Sequence, residues 1–557
     1  MYQQVYDPVS GSLGLSSIFA VLPLLTLFVL LGGVRMKAQW AGLIALAVAL
    51  IVALAVYDMP VGQAFDSAAE GAAFGLWPIM WIVVNAVWIY TMTVRTGHFQ
   101  DLRRAFAAIS DDQRIQAVII AFSFGALIEA LAGFGTPVAI TSVMLIALGF
   151  RPIKAAAVAL VANTAPVAFG AIAIPIVTLS GVTGLPKDDL GTMVGRQTPF
   201  LALLVPLILV LMVDGMRGLR QTWPVALAGG AAFAVGQFVT SNYISVELTD
   251  IVASLLSVVT IVAFLRVWRP SAEITATAGA ARPAAAGGSV HDPEFEADVR
   301  ARGGATPTGP LTAGRTLAAL APYLIIIAVF ALAQWGPIKD FLAGRTKEFD
   351  WPGLHVVNPK GEPPKSATFK FDWLAAAGTL LLISGLITMA ALRIRPRLAL
   401  AAYGATLNQL KWAILTVASV LALAYVMNYS GQTITLGMWV AGAGGVFAFL
   451  SSLVGWLGVA ITGSDTSSNS LFGALQVTAA KDAGLSPTLL AAANSSGGVL
   501  GKMISPQNLA IGAAAVGMAG REGDLFRTVL KWSLILVLVM CVIVYLQSTS
   551  VLDWMVP

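Results

Sequence analysis

Two apolar stretches, each broken by glycine and polar residues, occur once in each half of the chain, and this duplication constrains the fold more than any other feature. Gly125, Gly133 and Thr136 return 330 residues later as Gly455, Gly463 and Thr466, and Asn163 and Pro175 return 331 residues later as Asn494 and Pro506. GALIEALAGFGTP is thus answered by GWLGVAITGSDTS, and NTAPVAFGAIAIP by NSSGGVLGKMISP. Paired, Gly-interrupted hydrophobic segments in corresponding halves point to the binding site of a secondary transporter.

The rest of the chain gives that pattern its setting. With 57% apolar and 11% charged residues among 557, the sequence is too greasy to be solvated by water and must be solvated by lipid. Its net charge of +5 is spread between apolar runs rather than gathered in one patch, so it reads as membrane orientation and not as a nucleic-acid surface. Cys541 is the one cysteine, which excludes a disulfide framework and a thiolate metal site. MYQQVYDPVSGSLGLSS lacks a basic leader region, and the apolar stretch after it reads as a retained span.

Runs long enough to cross a bilayer as helices fall at 15–33, 39–57, 76–94, 155–175, 198–214, 223–241, 248–267, 316–334, 373–392, 412–428, 487–504 and 530–548. Regions 115–150 and 437–483 are apolar but interrupted by GFGTP and GSDTSS, and read as helical hairpins. The fold class expected is an all-α polytopic membrane protein, with about twelve transmembrane helices and two interrupted hairpins in two inverted repeats. The first half is 1–269, with hairpin 115–150 and broken helix 155–175; the second is 316–557, with hairpin 437–483 and broken helix 487–506. Residues 270–315, rich in Ala, Gly, Pro and Thr, are expected to be a disordered cytoplasmic linker. Residues 335–372, with Trp335, Trp351 and His355, are expected to form an ordered cap on the outer face.

Orientation follows from the basic linkers. Arg35, Lys37, Arg95, Arg103, Arg104, Arg114, Arg151, Lys154, Arg217, Arg220, Arg393, Arg395, Arg397, Lys411, Arg521, Arg527 and Lys531 fall on one side if the N-terminus is outside. The first hairpin then opens from the cytoplasm and the second, between Gln432 and Lys481, from outside. An odd number of spans separates them, which makes the repeats inverted.

Irregular backbone at membrane depth is tolerated only inside protein or along a cavity. In GFGTP, Gly133 and Gly135 permit a reversal and Thr136 is expected to cap the returning helix, with Pro137 after it; Ser505 and Pro506 repeat the arrangement. Helix N-termini so exposed bind anions, which points to an anionic substrate; the plainer reading is that these are packing kinks. Glu129 stands inside an apolar stretch four residues before the break, where acids belong to proton relays or are held by interhelical hydrogen bonds. Asp465 is the matching acid of the second half, a proton site or a helix cap. Lys502 either offsets a substrate carboxylate or snorkels to the cytoplasmic face. Asn163, Thr164, Asn494, Ser495 and Ser496, with Ser464, Thr466 and Ser467 of GSDTSS, supply neutral donors for a carboxylate and a hydroxyl, or serve as interhelical ties. Trp77, Trp81 and Trp88 read as packing and interface residues. His98, His291 and His355 fall in loops, so no metal site or cofactor is expected. HExxH, Walker A and GxSxG motifs are lacking, which argues against an enzyme.

EALAGFGTPVAI, ANTAPVAFGAI, GSDTSSNSLFG and the ANSSGG to KMISPQNLAIGAAA stretch resemble the bacterial L-lactate permease family over almost the whole chain. The resemblance implies a proton-coupled importer of lactate, often also of glycolate, in the bacterial inner membrane. More distantly the chain is similar to the ion-transporter superfamily with two opposed hairpins, which implies alternating access by an elevator movement. The oligomeric state stays open, a homodimer included. A sodium-coupled carboxylate transporter is the first rival, because GSDTSS and NSSGG offer oxygens that suit a hard cation. A membrane sensor of lactate is the second.

Overall fold

The computed structural model describes residues 1–133, 135–270, 312–333, 335–364 and 367–557. Ten of its helices are long and apolar enough to span a membrane, eleven if the bent pair Pro152–Ala162 and Val167–Thr183 is one span. Among the described residues the strands are four short ones outside these helices. The protein is an all-α, polytopic membrane protein.

Each apolar run read from the sequence falls largely on helix among the described residues, and the smaller number of spanning helices has a physical origin. Runs 198–214 and 223–241 belong to one helical stretch of 57 residues, Lys187–Tyr243. Straight, it would measure about 85 Å, but Asp214 and Gly215 (φ 62°) leave helical geometry and divide it. Runs 373–392 and 487–504 form the 15-residue helices Ala377–Ala391 and Pro487–Gly501. At about 22 Å each they are shorter than the hydrocarbon layer. The linker expected at 270–315 lies outside the described residues, apart from its ends, as does His291. His98 opens the helix His98–Ala107 instead of lying in a loop.

Each interrupted region folds back on itself. The outgoing arm Gln113–Ala132 is buried from Arg114 onward, so protein rather than lipid surrounds it up to the break. The chain reverses through Gly133 and Gly135 and returns as Thr136–Ala147. The cap expected from Thr136 is not made: Gly135, at φ 82°, is the capping position, and Thr136 is already the first helical residue. A left-handed turn of this kind suits glycine. In the second half Phe447–Thr462 ends at Gly463 (φ 77°), and Ser464 caps Asp465–Asp482 by accepting from the Ser467 amide at 3.2 Å. The start expected at 437 instead lies in a separate helix, Gln432–Ala441, because Gly442, Gly444 and Gly445 interrupt the apolar run.

Broken helices follow both hairpins. Pro152–Ala162 gives way at Asn163 and bends by 63° into the next segment. Ala171, Ile172 and Ala173 take φ of 46°, 59° and 57°, a left-handed stretch costing about 1–2 kcal/mol per residue. Right-handed helix resumes at Ile174, with Pro175 in its first turn. Pro487–Gly501 passes through a tight turn at Lys502–Ile504 to Ser505, whose hydroxyl accepts from the Asn508 amide at 3.4 Å and caps Pro506–Ala515. Asn508 then joins the two reversals: its Nδ2 donates to the Gly463 carbonyl at 3.4 Å, and its Oδ1 lies 3.4 Å from where a side chain on Gly135 would begin.

The two faces of the bundle can be told apart. Tyr2–Gln3 pairs with Val356–Val357, Lys347–Asp350 pairs with Thr368–Phe371, and the Tyr2 hydroxyl donates to the carbonyls of Tyr57 and Ser430. The N-terminus and loop 335–372 therefore share one face. Helix Leu13–Gly33, 21 residues and about 31 Å long, carries the chain to Arg35 and Lys37 on the other. Trp77 stacks on Trp81, and Trp88 Nε1 donates to the Ala399 carbonyl at 2.9 Å, so these rings pack the bundle.

Candidate functional site

The breaks in the two halves bring Glu129 and Lys502 together. Glu129 sits one turn before the first reversal and is 3% exposed; Lys502 starts the tight turn of the second broken helix and is 7% exposed. Lys502 Nζ donates to Glu129 Oε1 at 2.7 Å, and Asn163 Nδ2 donates to Glu129 Oε2 at 3.0 Å. Both carboxylate oxygens are thus held, one by each broken helix. Gly170 makes room for this: a Cβ there would stand 2.9 Å from Oε1. Lys502 does not snorkel to a face. The stem of a lysine leading out of a tight buried turn finds the acid before it finds water.

Asp465 forms the second polar centre. Ser464 provides the helix cap, so Asp465 is the first helical residue and not the cap. Its Oδ2 accepts from Ser495 Oγ at 2.5 Å and from Asn469 Nδ2 at 3.5 Å. Its Oδ1 is buried and has no hydrogen-bond partner among the described residues. Asn469 Nδ2 also donates to the Pro175 carbonyl at 3.1 Å, tying the second hairpin to the first broken helix.

A cavity of about 490 Å³ lies between these centres, within the roughly 300–1,000 Å³ usual for small-molecule sites. Glu129, Lys502, Asp465, Gly133, Ser464, Thr466 and Ser467 line it, and it extends to Arg35 and Lys37. A hollow of about 580 Å³ beside Arg345 and Trp373 belongs to the opposite face and shares no lining residue with it. Arranged this way, the cavity can take an anion beside the lysine, with a titratable acid in direct contact with the same amine.

Pro175, Gly463 and Pro506 also line the cavity, whereas Gly135, Thr136, Asn163, Thr164, Asn494, Ser495 and Ser496 are not in its wall. Gly135 and Thr136 build the reversal, the Thr136 amide donating to the Gly133 carbonyl. Thr164 donates to the Val161 carbonyl of its own helix, and Ser496 to Gln197. Asn163 and Ser495 hold the two acids from behind, and Asn494 links Asn469 to Gln476. Neighbours on a helix point about 100° apart, so Asn494, Ser495 and Ser496 cannot all reach one ligand. Among the described residues no cluster of His, Cys, Asp and Glu could hold a metal ion.

Glu70 and Asp250 are among the buried acids that sequence reasoning passed over. Glu70 faces Tyr425 and Tyr429 from helix Val61–Phe74, which precedes the apolar run at 76–94. Asp250 is 1% exposed at the start of Thr249–Val267, where an acid passes for the end of a loop. An acid two residues inside an apolar run was the available signal.

Known proteins are similar to this chain over its full length. The glycolate permease GlcA of Escherichia coli K12 is 45% identical, covering 98% of each chain. The L-lactate permeases of Escherichia coli K12 and of Bacillus subtilis 168 are each 42% identical over 100% of both chains. The crystal structure of the Alcanivorax borkumensis YdaH transporter covers 86% of this chain and 87% of its own at 15% identity, with a TM-score of 0.45, too distant to add to the fold described above. A sequence model of the L-lactate permease family matches residues 16–551, and the chain belongs to that family.

Proposed function

We propose that this protein carries lactate, and with it glycolate and related 2-hydroxy monocarboxylates, into the cell together with a proton. The relatives named as glycolate and L-lactate permeases support the substrate class. The observation that carries the coupling is the ion pair between Lys502 and Glu129 at the cavity wall. While Glu129 is charged it occupies the Lys502 amine and opposes an incoming anion. Once protonated, it releases Lys502 to the substrate carboxylate. Because coupling between sites is reciprocal, the bound anion must favour the proton on Glu129 to the same degree. Lactate carries one negative charge, so one-to-one transport with a proton is electroneutral and responds to the pH gradient rather than to voltage.

In this reading the two halves are inverted repeats that exchange access to the cavity by an elevator movement, and the protein is a carrier in the inner membrane, not an enzyme. With the N-terminus outside, the extension of the cavity toward Arg35 and Lys37 makes this the inward-facing arrangement. Purified protein in liposomes tests the proposal. Lactate addition should carry protons inward with it, and a lactate flux that moves no protons at any pH overturns the symport.

A sodium-coupled variant has one observation in its favour: Asp465, with Ser464 and Thr466 beside it in sequence, lines the cavity, and its Oδ1 has no hydrogen-bond partner among the described residues. Uptake in sodium-free buffer separates the two.

A further inference from the structure

Helix Gly336–Ala343 follows the spanning helix Ala313–Ala333 and has no buried residue. Ile338, Phe341 and Leu342 form one stripe along it, and Lys339 and Asp340 stand off that stripe. The protein covers Ile338 and Leu342 only in part and leaves Phe341 exposed, so the stripe needs a second apolar phase. Trp335, just before this helix, and Trp373, just before helix Ala377–Ala391, are both exposed. Exposed tryptophans at the ends of apolar helices mark the membrane interface. Leu324 and Leu332 below the first, and Ile383, Leu386 and Ile387 below the second, are exposed as lipid-facing residues are.

Beyond Gly344 the chain enters the strand Lys347–Asp350, which pairs with Thr368–Phe371. Alternation sorts its side chains. Lys347 lies opposite Phe371 and Phe349 opposite Phe369 on one face, whereas Glu348 lies opposite Lys370 and Asp350 opposite Thr368 on the other. Both acids meet partners on that second face: Glu348 pairs with Lys370 at 3.6 Å, and Asp350 accepts from Thr368 Oγ1 at 3.0 Å. The hollow of about 580 Å³ is lined by Gly344, Arg345, Thr346, Lys347, Phe371 and Trp373, which include two cations and, among the described residues, no acid. Arg345 stacks its guanidinium over the Phe341 ring, 4.1 Å from its centre, so this cation stands at the apolar stripe. Phe371 packs on Trp77 with ring centres 5.0 Å apart, and Thr379 Oγ1 donates to the Trp373 carbonyl at 2.7 Å, which seats the hollow on the helix bundle.

We propose that this hollow binds an anionic phospholipid from the leaflet at the N-terminal face. The phosphodiester takes the Arg345 guanidinium, whose fork of donors matches it, together with the point charge of Lys347. The acyl chains lie along Ile338, Phe341 and Leu342. A soluble anion would satisfy the two cations and leave the stripe bare, whereas a lipid satisfies both. Bound there, it moors the cap to the bilayer, and with it the N-terminal residues Tyr2–Gln3 that pair with Val356–Val357. The site is independent of what the central cavity carries.

Binding of dioleoylphosphatidylglycerol and of dioleoylphosphatidylcholine to the full chain in detergent, counted by native mass spectrometry, tests the proposal. Arg345→Gln with Lys347→Gln should weaken the tightest phosphatidylglycerol site about thirtyfold, as expected for two cations each worth about fivefold at an anionic surface, and leave phosphatidylcholine binding unchanged. Unchanged phosphatidylglycerol affinity, equal loss for both lipids, or displacement of the lipid by inorganic phosphate overturns the site. A second measurement leaves the cations in place and decides the matter should the double variant not reach the membrane. Cys541, the one native cysteine, is buried, so Ile338→Cys and Asp340→Cys each take a thiol-reactive fluorophore at a single position. In proteoliposomes, brominated phospholipid should quench the probe at 338 and spare the probe at 340; equal quenching at both, or quenching at neither, overturns the lipid contact and the proposal with it.

Discussion

Lys502 Nζ and Glu129 Oε1 lie 2.7 Å apart although 373 residues of chain separate them. One comes from the hairpin of the first half, the other from the broken helix of the second, and neither has another charged partner in direct contact among the described residues. Their pairing makes the cavity a property of both halves at once. Removing one partner strands a buried charge, which typically costs about 3–5 kcal/mol.

That cost gives the first prediction. Lys502→Met should lower the thermal stability of the detergent-solubilised protein, and Glu129→Gln should do so less, since a neutral amide can still accept from the lysine. Adding Glu129→Gln to Lys502→Met should recover part of the loss, a non-additivity that a double-mutant cycle measures. In transport, Glu129→Gln should abolish accumulation driven by a pH gradient while exchange is reduced far less. Normal, pH-dependent accumulation by this variant would remove Glu129 from the coupling.

Gly170 yields a prediction that needs no change of charge. A Cβ at 2.9 Å from Glu129 Oε1 must displace the carboxylate or the backbone that follows, where three residues already take left-handed angles. Gly170→Ala should therefore impair transport about as much as losing the ion pair, with little loss of protein from the membrane. Gly14→Ala, where nothing stands within 4 Å, is the control that should behave as wild type. Initial rates of labelled lactate uptake compare the two.

The sequence carried the breaks because they are written in residue type: glycines at the reversals, prolines in the first turns, polar residues where apolar ones are expected. It carried Glu129, Asp465 and Lys502 because charge inside an apolar run is conspicuous. The pairing of Glu129 with Lys502 was not legible, since contact between residues 373 positions apart depends on how two halves dock. For the same reason Asn494, Ser495 and Ser496 looked alike in the sequence, and helical rotation alone sends Ser495 to Asp465 and Ser496 to Gln197. Asn508, which joins both reversals, gave no signal beyond its neighbourhood to Pro506.

A pH effect follows from the corner between Lys187 and Glu247, outside the transport site. Burial alone would raise the Glu247 acid, but the Lys187 charge and the hydrogen bonds from Lys187 and Ser245 outweigh it and bring the group below its ordinary range. A depressed folded-state value means that Glu247 contributes stability above the unfolded value, near 4.3, and that this is lost as pH falls through the lower folded value. Glu247→Gln should lower the melting temperature at neutral pH and converge with wild type in strong acid. Parallel melting curves at every pH would show that the pair contributes nothing.

Asp465 separates proton from sodium coupling by the sign of its effect. Its Oδ1 is buried without a hydrogen-bond partner among the described residues, and Asp465 lines the same cavity as Lys502. If the cavity takes only an anion, a carboxylate there is repulsive, and Asp465→Asn, which keeps the side-chain size and the contact with Ser495, should leave lactate uptake intact with an equal or lower apparent KM. If Asp465 instead binds a cation, the same change removes the ligand charge, and uptake should fail. Initial rates with and without sodium read both outcomes: sodium-independent uptake that survives in Asp465→Asn assigns the coupling to the Glu129 and Lys502 pair, whereas joint loss on removing sodium or the Asp465 charge assigns it to the second hairpin.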